Sequence, residues 1–327
     1  MELINIGVAG VGIMGMNHCR TLDKMKNVHF VGVYDNDMKR CLKIAKEYDV
    51  CPFSSFSELL KKVDAVIISV PTSLHFTFIQ QALQEGKHVL VEKPFVSSMK
   101  EAEQIKPLIK AKNVIVQVGH VERFNPVIQQ LNKIINRPKM ISIETRRLGA
   151  LNRVIDIDVI FDLMIHDIDI VLSLVGSPIQ SLSAVGYSLT ESGQMDVANA
   201  VLTFKNGVIA NLVANRLSQE KVRTLTITER DRLIKSDYMT KELFIYQKVD
   251  SVIEKNLSYR QESIVEKIIV PNTEPLFAEI DHFVQSIRMK QCSIVGPEEA
   301  SKALEVAQMI RAYIEGNKLQ VEVDYEA

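Results

Sequence analysis

Residues Ile4–His18 read INIGVAGVGIMGMNH, an apolar run that leads into Gly10, Gly12 and Gly15. The glycines have the G-x-G-x-x-G spacing of a strand, a tight turn and a helix start that together hold a dinucleotide pyrophosphate. Gly10 permits the turn, Gly12 lets backbone amides approach the phosphates, and Gly15 lets the helix lie close to the strand. We therefore predict that this turn binds a dinucleotide through Gly10, Gly12, Ile13, Met14 and Gly15.

An acidic residue stands at the expected distance from this turn. The apolar strand Val28–Tyr34 is followed by Asp35, which lies 20 residues after Gly15, the separation at which a carboxylate binds the ribose hydroxyls. A 2′-phosphate would meet a negative charge there, and Asn36 and Asp37 provide no arginine to receive it. The predicted cofactor is therefore NAD rather than NADP. The alternative interpretation is that Asp35 only caps the helix that follows.

Length and composition indicate a two-domain globular protein with a small-molecule partner. The chain has 327 residues, more than a single core usually serves, and 46% of them are hydrophobic. A formal net charge of -1 provides no basic field for nucleic acid, and no apolar run reaches the ~20 residues needed to cross a membrane. The four cysteines show no C-x-x-C spacing and no leader precedes the first strand, so we expect a cytoplasmic protein with reduced thiols.

Two patterns follow one another along the chain. Up to about Gly119, short β-branched runs alternate with helical patterns, as in a parallel sheet that is buried on both faces. Beyond it, six strand candidates follow one another, with a hairpin turn at Lys205–Gly207. The six candidates are Met140–Arg147, Ile179–Tyr187, Val197–Phe204, Val208–Asn215, Val222–Glu229 and Leu243–Val249. We predict a doubly wound α/β Rossmann domain over residues 1–120 and, over residues 121–327, an α+β domain with an open, mainly antiparallel sheet.

A lysine follows a buried strand at the edge of the predicted parallel sheet where ligands bind. The strand His88–Glu92 runs into Lys93 and Pro94, and ligands of open α/β sheets lie outside the carboxyl ends of the strands. A lysine at this position can orient a substrate hydroxyl and help to move its proton. The alternative interpretation is an ordinary surface lysine before a loop proline.

The segment Phe161–Ile170, FDLMIHDIDI, contains a second group of chemical candidates. Asp162 and His166 are four residues apart and so share one face of a helix, while the apolar residues form no single stripe, which predicts burial on several sides. Histidine suits the acceptor of an alcohol proton near neutral pH, and a structural Asp–His pair is the alternative. A zinc site built on His166, Asp167 and Asp169 lacks a further firm ligand, so no metal is predicted.

Five features occur in one order: AGVGIMGMNH (9–18), Asp35, GKHVLVEKP (86–94), GHVERFNP (119–126) and DLMIHDID (162–169). Together they resemble the family of glucose-fructose oxidoreductase, inositol dehydrogenase and rhizopine catabolism protein (GFO/IDH/MocA), which are NAD(P)-dependent dehydrogenases. The resemblance covers most of the chain. It implies a Rossmann domain followed by a domain with an open antiparallel sheet, whose exposed face forms a homodimer or homotetramer.

The resemblance also implies roles for individual residues. Lys93 would contact substrate near the nicotinamide, His166 would be the catalytic base, and Asp162 would assist it or bind substrate. His120 and Arg123 would face the active site where the chain enters the second domain. The positions that would line the nicotinamide or its ribose are Pro71, Thr72, Glu92 and Lys93, whereas His18 would serve packing.

The form G-H-x-E-R-F-N-P resembles the family branch that oxidises nucleotide-activated amino sugars, in particular the 3-hydroxyl of UDP-N-acetylglucosamine. Arg146, Arg147 and Arg153 are candidates to bind the substrate diphosphate, or else they are solvent charges at strand edges. Many family members have a polar residue where this chain has Val121, so the resemblance leaves open how the nicotinamide amide is held. Two alternatives stay open: oxidation of an inositol or another free sugar, and a non-catalytic NAD-binding regulatory protein.

Overall fold

The computed structural model describes residues 3–150, 157–189, 193–248 and 263–317. The strands, numbered in chain order, are Ile4–Ala9 (β1), Val28–Tyr34 (β2), Cys51–Phe53 (β3), Ala65–Ile68 (β4), His88–Glu92 (β5), Val116–Gly119 (β6), Met140–Leu148 (β7), Ile179–Tyr187 (β8), Val197–Phe204 (β9), Ile209–Asn215 (β10), Val222–Glu229 (β11), Arg232–Asp237 (β12), Glu242–Lys248 (β13) and Ser263–Lys267 (β14). The α-helices are Ile13–Lys24 (α1), Met38–Tyr48 (α2), Phe56–Leu60 (α3), Thr72–Gln84 (α4), Met99–Lys112 (α5), Pro126–Ile134 (α6), Ile165–Val175 (α7), Pro275–Met289 (α8) and Pro297–Gly316 (α9). Tighter 3₁₀ turns cover Val121–Phe124 and Arg137–Lys139, and a wider π-helical turn covers Ile160–Met164.

Six strands form a parallel sheet in the order β3-β2-β1-β4-β5-β6. This is the strand order of the doubly wound dinucleotide-binding fold, so the predicted Rossmann architecture is confirmed. All four residues of β4 are buried, as expected for a β-branched strand with helices on both faces of the sheet. The short edge strand β3 was not predicted, because three residues that include Pro52 carry no strand pattern.

The chain forms two compact units, each built from two stretches of sequence. The first unit consists of Met1–Gln129 and Asn272–Leu304, and the second of Gln130–Pro271 and Glu305–Ala327. This division differs from the predicted one at residue 120, because α8 belongs to the first unit. Its residues Leu276, Ile280 and Phe283 share a hydrophobic core with Ile4 and Val28 of the parallel sheet. Helix α8 therefore contributes to the core of the dinucleotide-binding unit.

The second unit contains an eight-stranded sheet in the order β14-β13-β12-β11-β7-β10-β9-β8. Neighbouring strands are antiparallel except for the parallel pair β7 and β10, so the predicted mainly antiparallel sheet is confirmed. The hairpin turn at Lys205–Gly207 is also present, with Gly207 at a φ of 86°. Strands β12 and β14 were not predicted, since the charged sequences RLIKSD and SIVEK lack a clear alternation of apolar residues.

One face of this sheet is buried and the other is exposed. Along β9, Ala198, Ala200 and Leu202 are buried, whereas Val201 between them is 41% exposed. Helix α7 contacts β7 and β10 and, as expected from its sequence, is buried on several sides. No α-helix in the described ranges is both long enough and apolar enough to span a membrane.

Candidate active site

The glycine turn lies between β1 and α1, where the backbone packs against itself closely. Gly10 has a φ of 86°, and a Cβ at this position would lie 2.6 Å from the carbonyl oxygen of Ser69. A Cβ at Gly15 would lie 1.9 Å from the carbonyl oxygen of Gly10. The packing of strand, turn and helix therefore explains why both positions are glycine.

Gly12 requires a different explanation. It is the N-cap of α1, and a Cβ there would meet nothing within 4 Å in the described chain. No side chain caps this helix, its first turn has no acidic residue, and its first residues Ile13 and Met14 are exposed. The positive end of α1 is thus accessible to an anion. A ligand that approaches the backbone accounts for a glycine here, and a dinucleotide pyrophosphate fits that requirement.

Asp35 connects the end of β2 with the glycine turn. Its Oδ2 accepts a hydrogen bond from the N–H of Val11 at 2.8 Å, and its Oδ1 accepts one from the N–H of Asp37 at 2.9 Å. Asp37 is the residue that caps α2, so the interpretation of Asp35 as the helix cap is wrong. Arg40 Nη1 lies 3.8 Å from Asp35 Oδ2. The sequence prediction missed this cation because it considered only the two residues after Asp35, whereas one helical turn brings Arg40 back to them.

Lys93 lies immediately after β5 at the carboxyl edge of the parallel sheet and is partly exposed. The following residue is tied to the neighbouring loop by His75 of α4. His75 Nδ1 lies 2.9 Å from the carbonyl oxygen of Pro94, and its Nε2 lies 3.0 Å from the carbonyl oxygen of Val70. Burial lowers the pKa of His75, although both carbonyl contacts act in the opposite direction. His75 thus joins the loops after β4 and β5, which carry the predicted cofactor residues Pro71 and Thr72 and the predicted catalytic Lys93.

Glu92, which was predicted to line the nicotinamide, is buried at the end of β5. Its Oε1 lies 2.7 Å from Nε2 of His18 on α1. The packing role predicted for His18 is therefore incomplete, because its ring also holds a carboxylate at the edge of the sheet. The contact between His18 and Glu92 could not be predicted from the sequence, because the two residues are 74 positions apart.

In the second unit, Asp162 and His166 lie on either side of a junction between two helix types. Asp162 belongs to the π-helical turn and His166 to the first turn of α7. Both are partly exposed, whereas Asp167 and Asp169 are buried. The four-residue spacing therefore keeps Asp162 and His166 away from the core while the neighbouring carboxylates turn inward. Turns of the π type occur frequently at functional sites.

Asp167 forms a buried, two-point ion pair with Arg147 of β7. Arg147 Nε lies 3.0 Å from Asp167 Oδ2, and Arg147 Nη2 lies 2.8 Å from Oδ1. Arg146, the preceding residue on the strand, is exposed on the opposite face because successive strand side chains alternate. The two arginines predicted to bind a diphosphate together therefore lie on opposite faces of the sheet. Arg153, the third candidate, lies outside the described residues.

A set of ionic contacts fixes the start of the π-helical turn. Asp158 accepts hydrogen bonds from the N–H groups of Ile160 at 2.9 Å and Met195 at 3.0 Å, and it pairs with the guanidinium of Arg311 on α9. Nearby, Arg216 Nε pairs with Asp196 Oδ1 at 2.6 Å. The sequence analysis did not find these residues because the partners are far apart in the chain. They hold in place the backbone that carries Asp162.

The remaining predicted residues lie in the first unit. His120 is buried just before the 3₁₀ turn, and Arg123 in that turn donates to the carbonyl oxygen of Ile294 at 3.4 Å. Lys93 belongs to the first unit, and Asp162 and His166 to the second, so their convergence over one cofactor stays a prediction. The described residues contain no group of three or more His, Cys, Asp or Glu side chains arranged to hold a metal ion.

Comparisons with known proteins identify the family. A profile described as "Oxidoreductase family, NAD-binding Rossmann fold" matches residues 4–120, and one described as "GFO/IDH/MocA C-terminal domain" matches residues 152–231. The UDP-N-acetylglucosamine 3-dehydrogenase of Acidithiobacillus ferrooxidans is 32% identical over 94% of this chain and 98% of its own length. The chain belongs to the GFO/IDH/MocA oxidoreductase family. The resemblance drawn from the sequence motifs is thus confirmed.

A structural and a further sequence comparison agree with this assignment. The solved structure of the Acidithiobacillus ferrooxidans enzyme superposes with a TM-score of 0.88 and covers 97% of this chain and 99% of that one. The scyllo-inositol 2-dehydrogenase (NAD(+)) of Bacillus subtilis is 28% identical over 93% of this chain and 92% of its own length. As a GFO/IDH/MocA protein, the chain is a dinucleotide-dependent oxidoreductase that acts on CH–OH groups.

The glycine turn yields a prediction that separates ligand binding from folding. Gly12→Ala should change the free energy of unfolding by no more than about 0.5 kcal/mol, because its Cβ enters open space. The same variant should weaken NAD binding about tenfold or more, because that Cβ occupies the approach to the backbone. Gly15→Ala should instead destabilise the fold by about 1–3 kcal/mol. Calorimetric titration and thermal unfolding measure both effects. Unchanged NAD affinity of Gly12→Ala would place the pyrophosphate elsewhere.

The arginines of β7 yield a second prediction. Arg147→Met should lower the free energy of unfolding by about 3–5 kcal/mol, because the Asp167 carboxylate is left buried without its partner. Arg146→Met is the matched control on the exposed face and should change it by about 0.5 kcal/mol or less. Denaturant unfolding followed by circular dichroism makes the comparison. Equal losses for both variants would contradict the assignment of the two side chains to opposite faces.

Proposed function

We propose that the protein oxidises the 3-hydroxyl of UDP-N-acetylglucosamine, or of a closely similar nucleotide-activated amino sugar, with NAD as the hydride acceptor. The observation that carries the proposal is the 32% identity with a UDP-N-acetylglucosamine 3-dehydrogenase over 94% of this chain and 98% of that enzyme. The match therefore includes both the dinucleotide-binding unit and the unit with the open sheet. The segment GHVERFNP (119–126) supports the same branch of the family.

The proposed chemistry assigns one step to each candidate residue. When NAD is bound, its nicotinamide supplies the acceptor for the hydride that leaves the sugar carbon. Lys93 orients the hydroxyl and stabilises the negative charge that develops on its oxygen. His166 takes the hydroxyl proton on an imidazole nitrogen, and Asp162 assists it or binds the sugar. His120 and Arg123 remain the candidates for further substrate contacts, because Arg146 lies on the sheet face opposite Arg147 and α7.

We propose NAD rather than NADP as the preferred cofactor. The carboxylate of Asp35 lies beside the glycine turn, where it can accept hydrogen bonds from ribose hydroxyls and would repel a 2′-phosphate. Arg40 could receive such a phosphate, but its guanidinium already lies 3.3 Å from Asp37 and 3.8 Å from Asp35. Among these three side chains, the negative charges of Asp35 and Asp37 thus exceed the single positive charge of Arg40.

We propose that the exposed sheet face of the second unit binds a second copy of the chain. Val185, Val201 and Ile209 are 66%, 41% and 42% exposed and, by strand register, lie on one face. Val185 and Val201 line a cavity of about 630 Å³ that Tyr313 of α9 also lines. Exposed apolar patches of this kind mark interaction sites, and the family resemblance indicates a homodimer or homotetramer.

We also propose a cytoplasmic location. The four cysteines carry free thiols, and two of them, Cys19 and Cys41, are buried. Burial raises the pKa of Cys19 to about 12, so this thiol is unreactive. Free thiols of both the buried and the exposed kind are typical of a reducing compartment.

The test of the activity is NADH formation with UDP-N-acetylglucosamine. We expect turnover with NAD to exceed turnover with NADP, and free UDP to inhibit. Lys93→Met and His166→Ala should each lower kcat/KM about 100-fold or more, because each removes a group that acts on the reacting hydroxyl. The exposed residues Lys100 and His29 provide matched controls as Lys100→Met and His29→Ala. Turnover of both site variants within a few fold of wild type would remove the basis of the mechanism.

Two other functions give different results in the same assay. An inositol or free-sugar dehydrogenase, which the 28% identical scyllo-inositol 2-dehydrogenase favours as second candidate, would oxidise inositols and be indifferent to UDP. A regulatory protein would bind NAD, but none of the sugars tested would cause NADH to form. Either outcome replaces the proposed substrate while leaving the family assignment intact.

The proposed interface can be tested by introducing a charge at its centre. Val201→Glu should weaken self-association at least about tenfold, because a carboxylate would be buried between apolar surfaces. Leu42→Glu is the control, since Leu42 is 51% exposed on α2, outside the sheet. Sedimentation velocity over a range of protein concentrations measures the association. An unaltered oligomer in Val201→Glu would exclude this face as the interface.

A further inference from the structure

Three buried ionisable side chains lie near one another at the carboxyl end of β5. Glu92, the last residue of the strand, is 8% exposed, and its Oε1 lies 2.7 Å from Nε2 of fully buried His18. Its Oε2 accepts a hydrogen bond from the backbone N–H of Lys93 at 3.3 Å. Glu279 of α8 is 0% exposed and close enough for its charge and that of Glu92 to interact. All these residues belong to the first unit.

The two glutamates of this cluster carry different charges. The carboxyl oxygens of Glu279 have no hydrogen-bond partner in the described structure. Burial, reinforced by the charge of Glu92, raises the pKa of Glu279 well above its usual value, which favours its neutral form. Burial also acts to raise the pKa of Glu92, but the hydrogen bond and charge of His18 and the charge of Lys93 outweigh it, so the pKa lies below its usual value. The two pKa shifts have opposite directions, and the contacts of Glu92 favour its anionic form.

The neighbouring strand β6 leaves space for the Glu92 carboxylate. Glu92 pairs in register with Gly119 of β6. A Cβ at Gly119 would lie 3.1 Å from Glu92 Oε2, closer than ordinary van der Waals contact. A glycine at this position thus leaves the carboxylate in place at the end of the sheet.

Glu92 lies in the half of the sheet that serves the nicotinamide. The glycine turn after β1 and Asp35 after β2 mark the half that holds the adenosine nucleotide. In this strand order, the second nucleotide belongs to the half formed by β4, β5 and β6. Glu92 ends β5 and directly precedes Lys93.

We infer that the Glu92 carboxylate shifts the affinity of this site toward oxidised NAD and away from NADH, against the opposing charge of the neighbouring Lys93. The oxidised nicotinamide ring carries a positive charge, which it loses when it accepts hydride. A buried anion, weakly screened by salt, attracts the oxidised ring and gains nothing from the reduced one. His18 holds the carboxylate in position. The carboxylate thus lowers the affinity for NADH relative to that for NAD, which favours release of NADH after each turnover.

The inference rests on the proposed use of NAD and is independent of the sugar. The dissociation constants of NAD and NADH are measured by calorimetric titration without any sugar, for wild type, Glu92→Gln and Glu279→Gln. Glu92→Gln should weaken NAD binding about tenfold relative to NADH, which equals about 1.4 kcal/mol. Glu279→Gln is the matched control: it replaces a neutral carboxyl by a neutral amide and should leave the ratio of the two constants within about twofold of wild type.

Binding of ADP-ribose, which lacks the nicotinamide, reports whether each variant retains its folded site. If Glu92→Gln weakens NAD and NADH equally, the carboxylate has only a structural role and the inference is overturned. A shift of the ratio in Glu279→Gln as large as that in Glu92→Gln overturns it as well.

Should Glu92→Gln lose ADP-ribose binding, Glu92→Asp takes its place. This variant keeps the charge, so a ratio within about threefold of wild type supports the inference and a tenfold shift contradicts it. Failure of sugar oxidation would leave these binding ratios unaffected.

Discussion

The close approach of α1 to β1 is the constraint on which the dinucleotide-binding unit depends. No side chain fits at Gly15, because its Cβ would lie 1.9 Å from the carbonyl oxygen of Gly10. The helix can therefore begin directly over the end of the strand, with its uncapped N-terminus accessible to an anion. Three residues further along α1, His18 reaches the end of β5 and binds Glu92. The close approach of Gly15 to Gly10 thus positions both the accessible start of α1 and the His18–Glu92 contact at the end of β5.

Features that depend on local sequence could be predicted from the sequence alone. The glycine turn requires only neighbouring residues, and the hairpin at Lys205–Gly207 depends on a glycine with positive φ. The position of α8 could not be predicted in this way. Its amphipathic pattern indicates a helix but does not say which sheet its apolar face covers, and Phe283 packs in the core of a unit whose strands precede it by more than 150 residues. A prediction based on chain order alone therefore placed a single boundary at residue 120 and assigned α8 to the second domain.

In the candidate site, too, some features depend on neighbouring residues and others on residues that are far away in the chain. The spacing of Asp162 and His166 indicates a shared helix face, whereas the π-helical turn between them depends on contacts of Asp158 with residues far away in the chain. Arg146 and Arg147 were predicted together as candidates for one diphosphate, although strand alternation places neighbouring side chains on opposite faces. Only the three-dimensional structure identifies Asp167 as the partner of Arg147.

Buried carboxylates of this chain are stabilised in two different ways. In the second unit, the buried carboxylates Asp158, Asp167 and Asp196 each pair with an arginine guanidinium, which offsets the cost of removing both charges from water. In the first unit, Glu92 is held by the His18 imidazole and a backbone N–H, and burial raises the pKa of Glu279 well above its usual value. Sites that sacrifice stability are expected where a protein binds or reacts, and the burial of Glu92 at the ligand-binding edge of the sheet agrees with the role that we infer for it.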